Sequence, residues 1–404
     1  MSKAENSPSL PFAPIPANPE QHLLAIARLT SDIFAMGEFT DEISQTYIGN
    51  CHYDFDTTRL IFVDEELVHH WGVWGYQMRL DSVQLKVAGI GAVGTREDHR
   101  QKGLMSRAAH ASFEAMMANG YDLSILRGRH YVKFGYARAW NYITYKLKPE
   151  EIPAFELRHP YQTLTPDHLS AVDALYNQNY AGFSGTALRP TYRATSAENM
   201  QVYHGWFDGA GKLAGYVRAV PSEDKTTLQC FEATGEPEQG LAVLHDLIQK
   251  GSYHTLSFFT LPHHHPILQI LRKGACIVEN QFFSNTGWRV KLINLRSTLE
   301  KLRPVLENRL KKSYLMNWRG QLQLDGGEQK ANLTIASGSI RVTDPSSCSH
   351  VLRAGAALGR FLIGSDNPIE IIRQEDITCL GEAAELATVL FPDLYPVLSH
   401  FDEF

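Results

Sequence analysis

The 404-residue chain carries 38 lysine and arginine residues against 44 aspartate and glutamate residues, a formal net charge of −6, so no basic excess marks it for nucleic acid. Its five cysteines (Cys51, Cys230, Cys276, Cys348 and Cys379) are scattered and never form a C-x-x-C pair, which speaks against a disulfide frame or zinc site and for the reduced thiols of a cytoplasmic protein. The proline-bearing lead MSKAENSPSLPFAP lacks the apolar core of a signal peptide, no apolar run is long enough to span a bilayer, and the length implies two or three domains.

A first strand is expected around Leu10 to Ile15, held to a sheet edge by Pro11, Pro14 and Pro16. Leu23, Ile26, Leu29 and Ile33 recur at helical spacing within Pro19 to Phe34, and Thr40 is positioned to cap a second helix that ends near Ile48. Phe34, Met36 and Phe39, between and beside these helices, suit either an acceptor wall or loop and core packing. Leu60–Phe62 and Leu67–Leu80 form a hairpin about Asp64-Glu65-Glu66. His69 and His70 are consecutive in a strand, so they face opposite sides and cannot share a metal ion; one is expected at the surface and one in the core.

The stretch from Val83 to Tyr136 organises the rest. Val83, Leu85 and Val87 alternate with polar residues as in a half-buried strand. Ile90 to Thr95 continues it, interrupted by Gly89, Gly91 and Gly94, and glycine inside a strand marks a bulge or a place where a ligand approaches the backbone closely. Arg100-Gln101-Lys102-Gly103 then opens a helix with the apolar stripe Leu104, Ala108, Ala111 and Ala115, stopping at Gly120 before a strand at Leu123–Leu126. A loop that opens a helix presents unpaired amides and the helix dipole to an anion, and Arg100 and Lys102 add charge where a pyrophosphate would sit. On spacing alone, the same residues also describe a solvated basic turn.

Trp140 to Leu147 is expected to close a first domain near Pro149. Residues 151–286 then repeat the same order of elements: a helix at Pro166–Tyr180, a hairpin of Tyr203–Phe207 with Leu213–Val220, a strand at Thr227–Ala233 and a helix at Gly240–Gln249, followed by Leu256–Leu261, Pro266–Lys273 and Cys276–Phe283. Here the loop after Ala233 reads TGEPEQG, acidic and without arginine. His263-His264-His265 cannot all face one ion, and no acidic or cysteine partner stands at ligand spacing. From Trp288 the pattern becomes a helix through Leu299, Leu302, Val305 and Leu306, kinked at Pro304, then strands at Tyr314–Leu324, Ala331–Ala336 and Ser339–Thr343. Asp325-Gly326-Gly327 signals a hairpin, and helices are expected at His350–Leu362 and Gly381–Leu390.

The run Ala92-Val93-Gly94-Thr95, then Asp98-His99-Arg100-Gln101-Lys102-Gly103-Leu104, then Gly128-Arg129-His130-Tyr131-Val132-Lys133-Phe134-Gly135-Tyr136 resembles the acyl-coenzyme A core of the GNAT N-acetyltransferases. It is most similar to the Eis-like (enhanced intracellular survival) branch, with its G-x-x-Y-x-x-F-G-Y ending. Met105 departs from the broad R/Q-x-x-G-x-G/A pattern, and Eis-like members also carry a larger apolar residue there. The order of elements extends the resemblance to nearly the whole chain.

The resemblance implies an α/β (α+β) fold. Two tandem GNAT-type mixed-sheet domains, catalytic over 1–150 and non-catalytic over 151–286, precede a sterol-carrier-like α+β domain over 287–404. It implies acetyl-CoA as acyl donor with no metal, a small-molecule or lysine amine as acceptor, no membrane or nucleic-acid partner, and a homo-oligomer (trimer or hexamer). Ala92, Val93, Thr95, Arg100, Gln101, Lys102, Gly103 and Leu104 become the cofactor contacts. Acetyl transfer needs an oxyanion donor, here the Val93 N–H, a group worth about 3 kcal/mol in other acyl-transfer sites. It needs an acid for the leaving thiolate, here Tyr131. No carboxylate of the core stands out as base, and the resemblance turns attention to the terminal carboxylate, carried by Phe404. The competing reading is a non-catalytic acyl-CoA or lipid-binding protein; Arg100, Gly103 and Tyr131 speak against a silent first domain.

Overall fold

The computed structural model describes residues 12–49, 52–191, 202–375 and 377–404; Cys51 and the expected strand residues before Phe12 lie outside them. The chain builds β1 (Ile15–Pro16), α1 (Pro19–Ile33), α2 (Thr40–Glu42), β2 (Arg59–Val63), β3 (Glu66–Leu80), β4 (Val83–Thr95), α3 (Leu104–Ala118), β5 (Leu123–Arg127) and β6 (Ala137–Arg138). Next come β7 (Tyr142–Leu147), β8 (Tyr161–Thr163), α4 (Leu169–Asn179), β9 (Tyr203–Phe207), β10 (Leu213–Pro221), β11 (Thr227–Thr234), α5 (Pro237–Gly251), β12 (Thr255–Phe259), α6 (Pro266–Leu271) and β13 (Ile277–Gln281). The last part holds β14 (Trp288–Leu292), α7 (Leu295–Lys311), β15 (Arg319–Asp325), β16 (Lys330–Ala336), β17 (Ser339–Thr343), β18 (His350–Arg353), α8 (Leu358–Ile363), α9 (Pro368–Gln374), β19 (Thr378–Leu380) and α10 (Ala383–Leu390).

These strands form three mixed sheets, ordered β1-β2-β3-β4-β5-β14-β6, β13-β7-β12-β11-β10-β9-β8 and β17-β16-β15-β18-β19. The α/β class expected from the sequence is therefore the class observed. The first two sheets share a plan. In each, an antiparallel hairpin precedes a strand that pairs in parallel with the next, β4 with β5 and β11 with β12, across an intervening helix, α3 or α5. No helix among the described residues is long and apolar enough to cross a membrane.

The strands at the joins are exchanged. Residues 142–147, expected to close the first sheet, lie instead between β12 and β13 of the second, with Leu147 opposite Leu256 and Tyr145 opposite Val278. In return β14 enters the first sheet, pairing Trp288 with Arg127 and Leu292 with Leu123, and it also carries β6. Local alternation is the same in either sheet, so it could not assign these strands. A single apolar cluster then joins the first sheet (Leu85, Val87, Leu123, Ile125) to α7 (Leu299, Leu302, Leu306) and the third sheet (Leu322, Leu333), with Phe361 and Leu386 beyond.

Other elements differ in detail. The second helix breaks after Glu42 into a wider turn over Ile43–Ile48, where Gly49 N–H reaches Ser44 carbonyl at 2.8 Å. α7 runs through Pro304 to Lys311, and the strand expected from Tyr314 begins only at Arg319. His350–Arg353 is a strand rather than helix, because β15 takes it as a parallel neighbour, Leu324 opposite Leu352. Tertiary pairing overrides the helical look of the alanine-rich run that follows.

Residues 1–150 alone would lack β14, leave one edge of β5 bare and carry β7 unpaired. That fragment should show no cooperative thermal transition by circular dichroism. A sharp transition in a monomeric 1–150 fragment would show that the exchange is dispensable.

Candidate active site

The pairing of β4 with β5 stops at Gly89 opposite Ile125, so Ile90–Thr95 parts from Leu126 and Arg127. The opening coincides with a bulge against β3. His70 stands opposite Gly94 and Gly72 opposite Gly91, so Ala92 and Val93 together face the single residue Trp71. Ala92 adopts a φ of 47°. Its carbonyl accepts a hydrogen bond from His70 Nδ1 at 2.7 Å, and Tyr53 Oη lies 2.7 Å from Nε2 of the same ring. A carbonyl only accepts, so Nδ1 carries the proton and Nε2 accepts from the tyrosine. Burial lowers the His70 pKa to about 4, which keeps the ring neutral in this tautomer.

His69 points the other way, with Nδ1 2.7 Å from Thr95 Oγ1, and burial, aided by His70, lowers its pKa to about 3. The expectation that one of the two histidines lies at the surface fails. Both are buried, since α1 and α3 both pack on β3.

Beyond the bulge the chain turns through Arg100 to Gly103 into α3. Gln101 (φ 62°) and Gly103 (φ 76°) both take left-handed backbone; a Cβ on Gly103 would meet nothing, so glycine answers a conformational demand there, not a spatial one. Gly103 caps α3 with no side chain bonded to the first-turn amides, which leaves them to an anion. Arg100, Gln101, Lys102 and Gly103 are exposed, while Leu104 is buried and anchors the turn. Arg100 Nε donates to the Thr95 carbonyl at 3.3 Å. Met105 packs into the apolar cluster that also holds Val93 and Tyr131, so the larger residue at this position fills core.

Tyr131 sits in a tight turn, Arg129–Phe134, that follows β5. Its ring meets Trp71 edge-on at 5.8 Å and Tyr136 at 6.4 Å between centroids, and burial raises its pKa, so the hydroxyl keeps its proton. Phe134 and Tyr136 are core, and Tyr136 Oη lies 2.7 Å from Ser124 Oγ.

The chain's own C-terminus occupies the other side of the opening. A Cβ on Gly89 would stand 2.3 Å from Phe404 Cδ1, so the ring lies directly on the β4 backbone. A Cβ on Gly91 would stand 3.1 Å from the Phe404 carboxyl carbon and 3.2 Å from Tyr47 Oη. The sequence suggested a bulge or the close approach of a ligand at these glycines; what lies on Gly89 is Phe404, and Gly91 meets Trp74, Phe404 and Tyr47. Tyr76 and Trp288 flank the Phe404 ring at 6.1 and 5.7 Å.

Three preceding residues hold the tail. Glu403 pairs with Arg127 at 2.9 Å. Asp402 accepts from Arg189 Nε at 3.0 Å, Thr191 Oγ1 at 2.5 Å and Tyr176 Oη at 3.1 Å. Arg189 also grips Glu232 through both terminal nitrogens, one at 2.9 Å, and Ser399 Oγ donates to Glu232 at 2.8 Å. The three charged side chains have no solvent exposure. Burial alone would lower the Arg189 pKa, but Asp402 and then Glu232 raise it well above the usual value; Arg189 in turn outweighs burial at Glu232 and holds its carboxyl low.

Sequence reasoning missed Tyr47, Tyr53, His70, Arg189 and Glu232, whose positions depend on contacts between distant segments. Phe34, Met36 and Phe39 are exposed rather than core. Among the described residues no group of histidine, cysteine and acidic side chains could hold a metal ion.

Below pH 6.5 the unfolded chain takes up protons at His69 and His70 that the folded chain refuses. Their contribution is full above that pH and should be lost as pH falls from 6.5 towards 4. His70→Gln should flatten the fall in Tm over this window, and an unchanged slope would remove His70 from it. Arg189→Ala leaves Asp402 buried without its counter-charge and Glu232 with only Arg218, 3.9 Å away, and should cost about 3–5 kcal/mol in urea unfolding, where a loss under about 1 kcal/mol would contradict the buried clamp.

Residues 20–139 match the acetyltransferase (GNAT) domain family. No curated protein matches the chain in sequence. The fold is similar to that of a GCN5-related N-acetyltransferase from Anabaena variabilis, with a TM-score of 0.75 and 16% identity over 97% of this chain and 100% of that one. A GCN5-related N-acetyltransferase from Kribbella flavida aligns at a TM-score of 0.69 and 16% identity, over 97% and 100% of the two chains. Eis1 from Mycobacterium abscessus aligns at 0.67 and 14%, over 95% and 97%. At these identities the likeness is one of fold. Residues 20–139 match an acetyltransferase (GNAT) domain, and the chain around them is similar in fold to N-acetyltransferases.

Proposed function

We propose that the protein transfers an acetyl group from acetyl-CoA to an amine by direct attack on the thioester, with Tyr131 as general acid and the Phe404 terminal carboxylate as general base. The observation that carries this reading is the carboxyl carbon of residue 404 beside Gly91, where β4 has parted from β5. Arg100, Gln101, Lys102, Gly103 and Leu104 would hold the pyrophosphate. Ala92, Val93 and Thr95 would line the pantetheine arm, and the Val93 N–H, in the bulge, would meet the oxyanion. The amine gives a proton to the carboxylate as its nitrogen attacks the carbonyl carbon. The C–S bond then breaks, and the thiolate takes the Tyr131 proton, which the raised pKa keeps available.

Residues 151–286 are read as a second, non-catalytic GNAT-like domain and residues 287–404 as a sterol-carrier-like domain. The second sheet supports the first of these readings. β11 parts from β12 after Cys230 opposite Phe258, but Glu232, Arg189, Phe401 and Asp402 fill the region of that opening, and the acidic Glu236 caps α5 where the first domain offers Gly103. Ile277, Val278 and Phe282, on or beside the edge strand β13, are more than half exposed and support a homo-oligomer, read as a trimer or hexamer. The described cysteines are free, which suits a cytoplasmic protein.

Acetyl-CoA-dependent thiol release, measured on untagged protein against a panel of amines, tests the reading. Extending the chain by one glycine after Phe404 should lower kcat by about 10²–10⁴-fold and leave acetyl-CoA binding unchanged, and Tyr131→Phe should lose a similar factor. Full turnover in the extended protein would remove the terminal carboxylate from the mechanism. Thermal stabilisation by acetyl-CoA with no turnover of any amine would favour a binding protein instead.

A further inference from the structure

The wide turn over Ile43–Ile48 has no part in the mechanism above, yet it carries a hydroxyl to the chain's last residue. The helix expected to end near Ile48 gives way after Glu42 to a turn closed from Ser44 to Gly49, five residues apart. Widening a helix in this way rotates the side chains that follow, and such turns recur where a side chain is aimed at a functional site. Here that side chain is Tyr47.

Three groups converge above Gly91. A Cβ on this glycine would stand 3.0 Å from Trp74 Cζ3, 3.1 Å from the Phe404 carboxyl carbon and 3.2 Å from Tyr47 Oη. The hydroxyl and the carboxyl group therefore border the same point. Tyr47 is fixed there from both ends. Its ring lies against Trp74 at 4.7 Å, and Trp74 Nε1 donates to its carbonyl at 3.1 Å. Tyr47, Ala92 and Phe404 all pack on the cluster that holds Ile43, Ile48, Tyr53 and Trp74. Other polar groups around the end of the tail are committed elsewhere. Arg127 pairs with Glu403, His70 donates to the Ala92 carbonyl, and Tyr76 flanks the Phe404 ring.

A terminal carboxylate turns about its last Cα–C bond unless a donor stops it. A catalytic group misplaced by 1 Å can cost about 10²-fold in rate. We infer that Tyr47 is a positioning residue, whose hydroxyl donates to the Phe404 carboxylate, stops that rotation and leaves the second oxygen facing the amine. Its role rests on the carboxylate acting as general base. No bond forms or breaks at Tyr47, which keeps its proton while the carboxylate takes that of the amine.

Tyr47→Phe keeps the ring on Trp74 and removes only the hydroxyl. It should lower kcat about 10–100-fold with acetyl-CoA binding within about twofold. The acid limb of the kcat profile should move up by about one pH unit, because the carboxylate loses a donor to its charged form. A purely structural role would lower Tm and leave that limb in place, which would overturn the assignment. In the protein extended by one glycine after Phe404, Tyr47→Phe should cost less than about twofold more, since the group it positions is gone. A further loss of about tenfold there would show that Tyr47 acts independently of the carboxylate and would also overturn it. A costly extension with a harmless Tyr47→Phe would remove Tyr47 alone; a harmless extension would remove the base, and Tyr47 with it. Should no amine be acetylated, carboxypeptidase still reads the contact. Release of Phe404 about tenfold faster from Tyr47→Phe than from the parent would keep it, and equal release would overturn it.

Discussion

The buried arginine between two carboxylates governs how the molecule is put together. Arg189 reaches Glu232 on β11 and Asp402 in the tail, all without solvent exposure. Two buried acids and one base leave a deficit of charge, which hydroxyls of Thr191, Tyr176 and Ser399 and the nearby Arg218 relieve. Such a cluster tolerates little displacement, because each ion away from its partner costs several kcal/mol. It therefore fixes the backbone of residues 399–402 to the second sheet, and two residues later the chain enters the first. The second sheet's contribution to the proposed active site is to aim a peptide, and side chains fill the region of its own opening.

On the other side the same economy of means shapes the first opening. A bulge at Ala92 and Val93 separates β4 from β5, and a relay from Tyr53 through His70 holds the bulged carbonyl. Removing His70, which donates to that carbonyl, would release the strand end on which the proposed oxyanion donor sits. Gly89 has no side chain where the Phe404 ring lies on it, and Gly91 has none where Trp74, Phe404 and Tyr47 converge. Two ends of the sequence, some three hundred residues apart, thus share one van der Waals surface.

Much of this was legible in the sequence where the determining contacts are local. The turn from Arg100 through Gly103 into α3, the aromatic turn around Tyr131 and the hairpins follow from residue-by-residue conformational demands. The interrupting glycines announced a bulge, which is there, while the groups that approach them belong to the chain itself. Contacts set over long distances were not legible. β7 and β14 have alternation that suits either sheet, so nothing local says that they trade places. One of His69 and His70 looked eligible for the surface because the covering helices are separate segments. His350–Arg353 became a strand through its neighbour, not through its own propensity. Arg189 and Glu232 carried no motif at all, since their meaning lies in a tail more than one hundred and fifty residues further on.

The traded strands also impose a timetable on synthesis. β5 ends at Arg127, and its partner on β14 is Trp288, 161 residues later (288 minus 127). At about 5–20 residues per second, a ribosome takes roughly 8–32 s to cover that interval. Throughout it, the nascent first sheet ends at an open β5 edge, the kind of edge that recruits strands from other chains. The protein is thus most exposed to aggregation while half made, and a chaperone that shields that edge would have its work finished once Trp288 is in place.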